Sequence, residues 1–176
     1  MTREELIKRI KETAYLEGDF VLRSGKRSQY YLDKYLFETC PDILKALGEE
    51  FSRNITDDVT LIAGAELGGV ALAATTAMSS GKNWVIIRNS KKGYGTGKMV
   101  EGVLKAGDVV LLVEDIATTG GQVLEAAKVI TEAGAKVERI VCVIDRKQGA
   151  GENITQAGYT FESILTKDDL GIKDTE

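Results

Sequence analysis

The stretch VVLLVEDIATTGG, Val109–Gly121, decides the fold. Five apolar residues run into the adjacent acids Glu114 and Asp115, and Thr118, Thr119, Gly120 and Gly121 follow almost at once. An apolar run without polar alternation is the pattern of a strand buried on both faces, as in a parallel sheet. Behind the Thr/Gly turn a helix is predicted from Gln122 to Ala133, with Gly134 at its C-terminal cap.

The same alternation extends in both directions. VTLIAG reads as a buried strand and GGVALAATTAMSSG as a helix of small residues, with WVIIR the next strand. Beyond the central motif, VERIVCVID and YTFESIL are the last two strands. Continuous apolar strands alternating with helices predict an α/β fold with a mainly parallel sheet covered by helices on both faces. The N-terminal part departs from this pattern. TREELIKRIKETAYLEG places Thr2 and Glu5 in capping-box spacing ahead of an amphipathic helix. Phe20–Leu22 and Tyr30–Leu36 look extended around a basic turn, and Pro41 and Asp42 open a second amphipathic helix. Residues 1–176 are therefore expected to form a single domain, with residues 1–40 contributing a small hood.

Composition narrows the chemistry. The chain has 176 residues, 43% of them hydrophobic, which is enough for a core. A net charge of -4 argues against a general nucleic-acid role. With no histidine, the usual general base, a Ser/His/Asp triad and histidine metal sites are excluded. Cys40 and Cys142 have no metal-type spacing and fit a reducing, cytoplasmic setting. No apolar stretch has the length of a membrane span or the form of a secretory leader, so no membrane role is expected.

In an open parallel sheet, ligands gather beyond the carboxyl ends of the strands, and three turns follow strands directly. In the first, GAELGGVALA, Gly64, Gly68 and Gly69 permit close backbone approach, and the helix behind them offers unpaired N–H groups. It reads as a tight turn or as an anion site, the latter if Glu66 points away. The second is the opening motif. Its hydroxyls, successive N–H groups and helix N-terminus make a phosphate cradle. Glu114 and Asp115 repel phosphate but suit hydroxyls, or a nearby Mg²⁺. The motif as a whole suits a ribose 5-phosphate, and it lacks the Gly-Lys-Ser/Thr of a Walker A loop. The third, RNSKKGYGTGKMVEG, carries Arg88, Lys91, Lys92 and Lys98 among four glycines. It is either a solvated loop or a cationic lid over a highly charged anion such as pyrophosphate.

Taken together, these pieces resemble the type I phosphoribosyltransferases. VVLLVEDIATTGG is similar to that family's motif for binding phosphoribosyl pyrophosphate. GDFVLRSGKRSQYYLD (Gly18–Asp33), GAELGG, RNSKKGYGTG and DRKQGAGEN (Asp145–Asn153) resemble, in order, segments of its orotate-specific branch. The resemblance implies transfer of a phosphoribosyl group from the donor to orotate with release of pyrophosphate, in pyrimidine biosynthesis. It implies that Glu114 and Asp115 bind the ribose hydroxyls, and that Thr118, Thr119, Gly120, Gly121 and the backbone of Gln122 hold the 5-phosphate. Glu66, Leu67, Gly68 and Gly69 would form the pyrophosphate-side loop. Arg88 and Lys92 would be catalytic, on a mobile loop that includes Lys91 and Tyr94. Arg23, Tyr30, Tyr31, Thr118 and Arg146 would surround orotate. Mg²⁺ would be held mainly by the donor substrate rather than directly by the protein, and the loop would be exchanged across a homodimer.

Several positions depart from the family pattern. Asn89 stands where many relatives carry lysine, Tyr94 where many carry histidine, and Ala117 and Gln122 where branched and small hydroxyl residues are common. Two other readings share the donor motif: a phosphoribosyltransferase for another nucleobase, and a non-catalytic regulator that senses the donor. A base carrying a carboxylate suits Arg146, and the intact lid sequence favours catalysis.

Overall fold

Thr2 starts the first helix as its spacing predicts. Its hydroxyl accepts from the Glu5 N–H at 3.2 Å, and the Glu5 carboxylate accepts from the Thr2 N–H at 2.7 Å. From this capping box α1 runs over Arg3–Ala14 and buries Leu6, Ile10 and Ala14. The computed structural model describes residues 1–21, 25, 27–90 and 98–172. Two antiparallel strands follow, β1 (Tyr15–Val21) and β2 (Arg27–Leu32), forming a sheet of their own. The extended segment expected over Tyr30–Leu36 stops at Leu32. Asp33 accepts from the Tyr35 N–H and caps a short helix, α2 (Lys34–Glu38). Pro41 then sits in the first turn of α3 (Pro41–Ser52).

The second sheet has six strands, and its order places the long central strand mid-sheet. The strands are β3 (Leu61–Ala65), β4 (Asn83–Ile87), β5 (Val100–Glu101), β6 (Val109–Ala117), β7 (Lys136–Asp145) and β8 (Phe161–Thr166). Their order is β5-β4-β3-β6-β7-β8, parallel throughout except for the short edge strand β5. The helices between them are α4 (Gly68–Ser80), α5 (Gly121–Glu132) and α6 (Ala150–Gln156). Gly134 has φ 83°, the left-handed turn residue predicted after α5. Sequence periodicity gives no sign of α2, β5 or α6, each too short to complete a pattern.

Alternate residues of each strand feed two cores. Leu111 and Val113 of β6 join Ile62, α3, Leu72 and Ala73 of α4, and the N-terminal residues Leu6, Ile10 and Phe37. Val110 and Leu112 join Leu61, Ala63, Val85 and the buried faces of α5 and α6. Burial on both faces explains why these strands read as unbroken apolar runs. This is the mainly parallel α/β fold predicted. Its parallel strands all end at one edge, where the Glu66, Arg88, Thr118 and Arg146 segments emerge together.

Candidate active site

A cavity of about 440 Å³ opens at that edge. It is lined by both acids, by Thr118–Gln122, by Lys34 and Tyr31, and by Arg146. Side chains from Tyr31 to Arg146, far apart in the sequence, thus meet around one space. A more open groove of about 750 Å³ lies along α6 and β8, bordered by Lys147, Thr155 and Phe161, and includes none of the predicted site residues.

The acids sit at the end of β6 and are almost wholly buried, Glu114 at 6% and Asp115 at 3% exposure. Asp115 is compensated. Its Oδ2 accepts from Lys34 Nζ at 2.6 Å, and its Oδ1 accepts from the Ile116 N–H. Burial pulls the Lys34 ammonium down, but its hydrogen bond to Asp115 and the charge behind it leave it above its ordinary value. Burial, reinforced by the Asp115 charge, pushes Glu114 well above the usual carboxylate range. A third acid, Glu38 at the end of α2, lies behind the pair. Burial first and the Asp115 charge second raise it to about 8. Glu38 Oε1 and Glu114 Oε2 have no hydrogen-bond partner among the described residues. Neither Lys34 nor Glu38 stands out in the sequence, because each meets Asp115 only through the packing of α2 against the sheet.

Gly68 makes this arrangement possible. A methyl group there would lie 1.7 Å from Asp115 Oδ2 and 3.0 Å from Glu38 Oε1. Gly64 is equally constrained, since its methyl would fall 2.0 Å from the Gly69 carbonyl oxygen. The glycines of GAELGG thus let the start of α4 press against β3 and β6. The Glu66–Leu67 peptide within this turn is cis. The Glu66 carboxylate lies 3.6 Å from the Arg88 guanidinium, which also approaches Glu101 at 3.7 Å.

The Thr/Gly turn is held from two sides. Gly120 adopts φ 80° just ahead of α5, and Asn153 of α6 donates to the Thr119 carbonyl at 2.9 Å. The Arg146 N–H donates to the Ala117 carbonyl at 2.9 Å, tying the segment after β7 to the same turn. The two tyrosines separate across the pleat of β2. Tyr31 lines the cavity, packed on Phe20 at 5.6 Å between ring centroids. Tyr30 turns inward, stacks on Tyr15 at 5.5 Å, and accepts a hydrogen bond from Arg146 Nη2 at 3.0 Å. Arg23, Lys91, Lys92 and Tyr94 lie outside the described residues. Among the described residues no group of three or more acids and cysteines gathers as a metal cage.

A buried acid pair, a Thr/Gly turn ahead of a helix and an arginine facing them across one cavity agree with what comparison finds. The phosphoribosyl transferase domain family matches residues 38–175. The orotate phosphoribosyltransferase of Methanocella arvoryzae is 40% identical over 167 residues, covering 94% of this chain and 95% of that protein. This chain belongs to the orotate phosphoribosyltransferase family. Two crystal structures of the Mycobacterium tuberculosis orotate phosphoribosyltransferase share its fold. The complex with Fe(III) dicitrate superposes with a TM-score of 0.88 at 29% identity, covering 97% of this chain and 99% of that one. The complex with 5-phospho-α-D-ribosyl 1-diphosphate superposes at 0.81 and 28% identity, with the same coverage. Family membership makes this phosphoribosyltransferase an enzyme of pentosyl transfer. Among the described residues no helix is long and apolar enough to cross a membrane.

Proposed function

We propose that this phosphoribosyltransferase joins the phosphoribosyl group of 5-phosphoribosyl 1-diphosphate to N1 of orotate, giving orotidine 5′-phosphate and pyrophosphate. The observation that carries this reading is the single cavity in which Glu114, Asp115, the Thr118–Gln122 turn and Arg146 converge. Those groups match a ligand with a phosphate at one end, a diol in the middle and a carboxylate-bearing base opposite.

In this reading Asp115 and Glu114 accept hydrogen bonds from the ribose hydroxyls. Thr118, Thr119, Gly120, Gly121 and the backbone of Gln122 take the 5-phosphate at the positive end of α5. Arg146, steadied by Tyr30, meets the orotate carboxylate, and Tyr31 and Arg23 complete the base pocket. Orotate N1 gives up its proton to solvent and forms the new bond to C1, while the C1–O bond breaks and pyrophosphate leaves with the bonding electrons. Positive charge then builds on the ribose ring, as in glycoside chemistry. Arg88 and Lys92 balance the negative charge on the departing group, with Lys91 and Tyr94 assigned to the same loop and Glu66–Gly69 to the pyrophosphate-side turn. Loop closure keeps water from the donor.

Glu114 and Asp115 offer oxygen ligands of the kind Mg²⁺ prefers, and in keeping with the family resemblance the ion would be held mainly by the donor substrate. When bound, Mg²⁺ would supply charge neutralisation of the leaving pyrophosphate. We assign residues 1–40 as a hood within one domain, supported by their packing into the same core as α3 and β6. We also assign a homodimer exchanging the 88–98 loop, and a cytoplasmic setting in keeping with the free thiols of Cys40 and Cys142.

Turnover of orotate, uracil, adenine and hypoxanthine with the same donor tests the reading. Orotate alone should react. Turnover of a purine with orotate inert would overturn the base assignment, and donor binding without any turnover would point to a sensor. Sedimentation of the native chain tests the dimer.

A further inference from the structure

Gln122 enters the proposed mechanism through its backbone, yet its side chain leaves the phosphate turn. Gln122 Nε2 donates to the Glu66 carbonyl at 3.1 Å. Asn89 Nδ2 donates to the same carbonyl at 2.9 Å. The two amides also meet each other, Gln122 Nε2 lying 3.5 Å from Asn89 Oδ1. One carbonyl oxygen has two lone pairs, and here both are met by side-chain amides from different loops. Asn89 and Gln122 are also two of the four positions that depart from the sequence pattern of the family, and the fold brings these two together.

The position of the shared carbonyl gives the contact its meaning. Glu66 follows β3, Asn89 follows β4, and Gln122 lies in the first turn of α5 after β6. The backbone pairing of β3 with β6 ends at Gly64 and Val113. Beyond that point the pyrophosphate-side turn and the phosphate turn diverge, and the two amides bridge the gap. The donor has phosphates at both ends, so the separation of these turns decides whether both ends are held at once. Asn89 extends the same tie to the start of the cationic loop, directly beside Arg88. Gln122 borders both the 440 Å³ cavity and a smaller one of about 220 Å³ that also contains Arg88 and Asn89.

We propose that Asn89 and Gln122 are positioning residues that latch three loops of the site to the Glu66 carbonyl and so set the grip on the pyrophosphate end of the donor. The proposal rests on the phosphoribosyl-transfer reading for its kinetic consequences, but not for its binding consequences. Both amides sit on the protein surface, so their replacement leaves the cores intact.

The test is a double-mutant cycle with Asn89→Ala, Gln122→Ala and the double variant. Inorganic pyrophosphate binding is measured by calorimetry, and the donor and orotate KM by initial rates. Each single change should weaken pyrophosphate binding and raise the donor KM by about three- to tenfold, the scale of one or two ordinary hydrogen bonds. Orotate KM should stay constant. Because both groups act on one oxygen, the double loss should fall well short of the product of the single losses. Gln122→Glu keeps the shape but sets a carboxylate against the carbonyl, and should bind pyrophosphate more weakly than Gln122→Ala. Unchanged pyrophosphate affinity in the single variants, losses that multiply, or an orotate KM that rises in step would each overturn the latch. If the wild-type chain failed to turn over orotate, the function above would fall, while the calorimetric cycle would still decide the latch.

Discussion

Lys34 Nζ lies 2.6 Å from Asp115 Oδ2, so the helix after β2 is bound by charge to the strand that presents the acid pair. The aspartate side chain is 4% exposed and the lysine side chain 29%, and three acids crowd this one cation. Removing the cation leaves a buried carboxylate without its partner. Lys34→Met should destabilise the fold by roughly 1–3 kcal/mol, less than for a fully buried pair because the lysine is partly wet. It should also raise the donor KM. Chemical denaturation and initial rates check both effects, and an unchanged stability would mean that water already compensates Asp115.

Gly68→Ala tests the close approach of α4 to β6. The added methyl would occupy the space of Asp115 Oδ2, 1.7 Å away, so either the carboxylate turns aside or the helix start withdraws. Overpacking of this kind costs roughly 1–3 kcal/mol. The expected result is a severe loss of turnover with modest loss of stability. Gly107→Ala is the control. It lies in open space but has φ 88°, so it carries backbone strain alone. Equal activity in the two variants would show that the Asp115 position does not matter.

The long central strand, the phosphate turn and most helices were legible in the sequence because each leaves a local trace. Val109–Val113 reads as a strand buried on both faces, and Gly134 marks the left-handed residue that ends α5. The Thr2–Glu5 box announces α1. Short elements leave no such trace: α2 hides inside a segment that reads as extended, because Asp33 caps it without any apolar period. Long-range pairs are equally silent. Lys34 and Asp115 are 81 positions apart, and Gln122 and Glu66 are 56 apart. The tyrosine pair was visible as a motif, but only the pleat of β2 separates Tyr31, at the cavity, from Tyr30, behind Arg146.

Glu38 gives the fold a pH dependence. Its carboxyl is raised from an ordinary 4.5 to about 8 by burial and by the neighbouring Asp115 charge. Between those values the folded chain holds a proton that the unfolded chain has lost. Stability from this group is therefore fully present below about 4.5, declines as pH rises towards 8, and is lost above it. Glu114, raised in the same direction, adds to the decline. Lys34 on the same helix, Asp33 just before it, and Asp115 and Glu114 on β6 are the charged groups that act on this site. Glu38→Gln removes one titration. Relative to wild type, the variant should gain stability between pH 5 and pH 8, on the order of 1–3 kcal/mol by denaturant unfolding. A difference that stays constant with pH would mean that Glu38 is already ionised in the fold.

Tyr30→Phe separates two ways of holding Arg146. The Tyr30 hydroxyl accepts from Arg146 Nη2 at 3.0 Å, while the guanidinium carbon lies 5.7 Å from the ring centroid. Phenylalanine keeps the cation–π contact and deletes the hydrogen bond. If Arg146 meets the orotate carboxylate, a looser guanidinium should raise the orotate KM by about two- to tenfold, the scale of one hydrogen bond to a charged group. The donor KM should stay unchanged, because the acid pair and the phosphate turn do not touch Tyr30. Arg146→Ala should raise the orotate KM further, by roughly a hundredfold, since it removes a bidentate partner for a carboxylate. Uracil lacks that carboxylate, so any residual activity towards it should not respond to either change. A Tyr30→Phe enzyme whose donor KM rises as much as its orotate KM would place Tyr30 in general support of the site instead of behind the base.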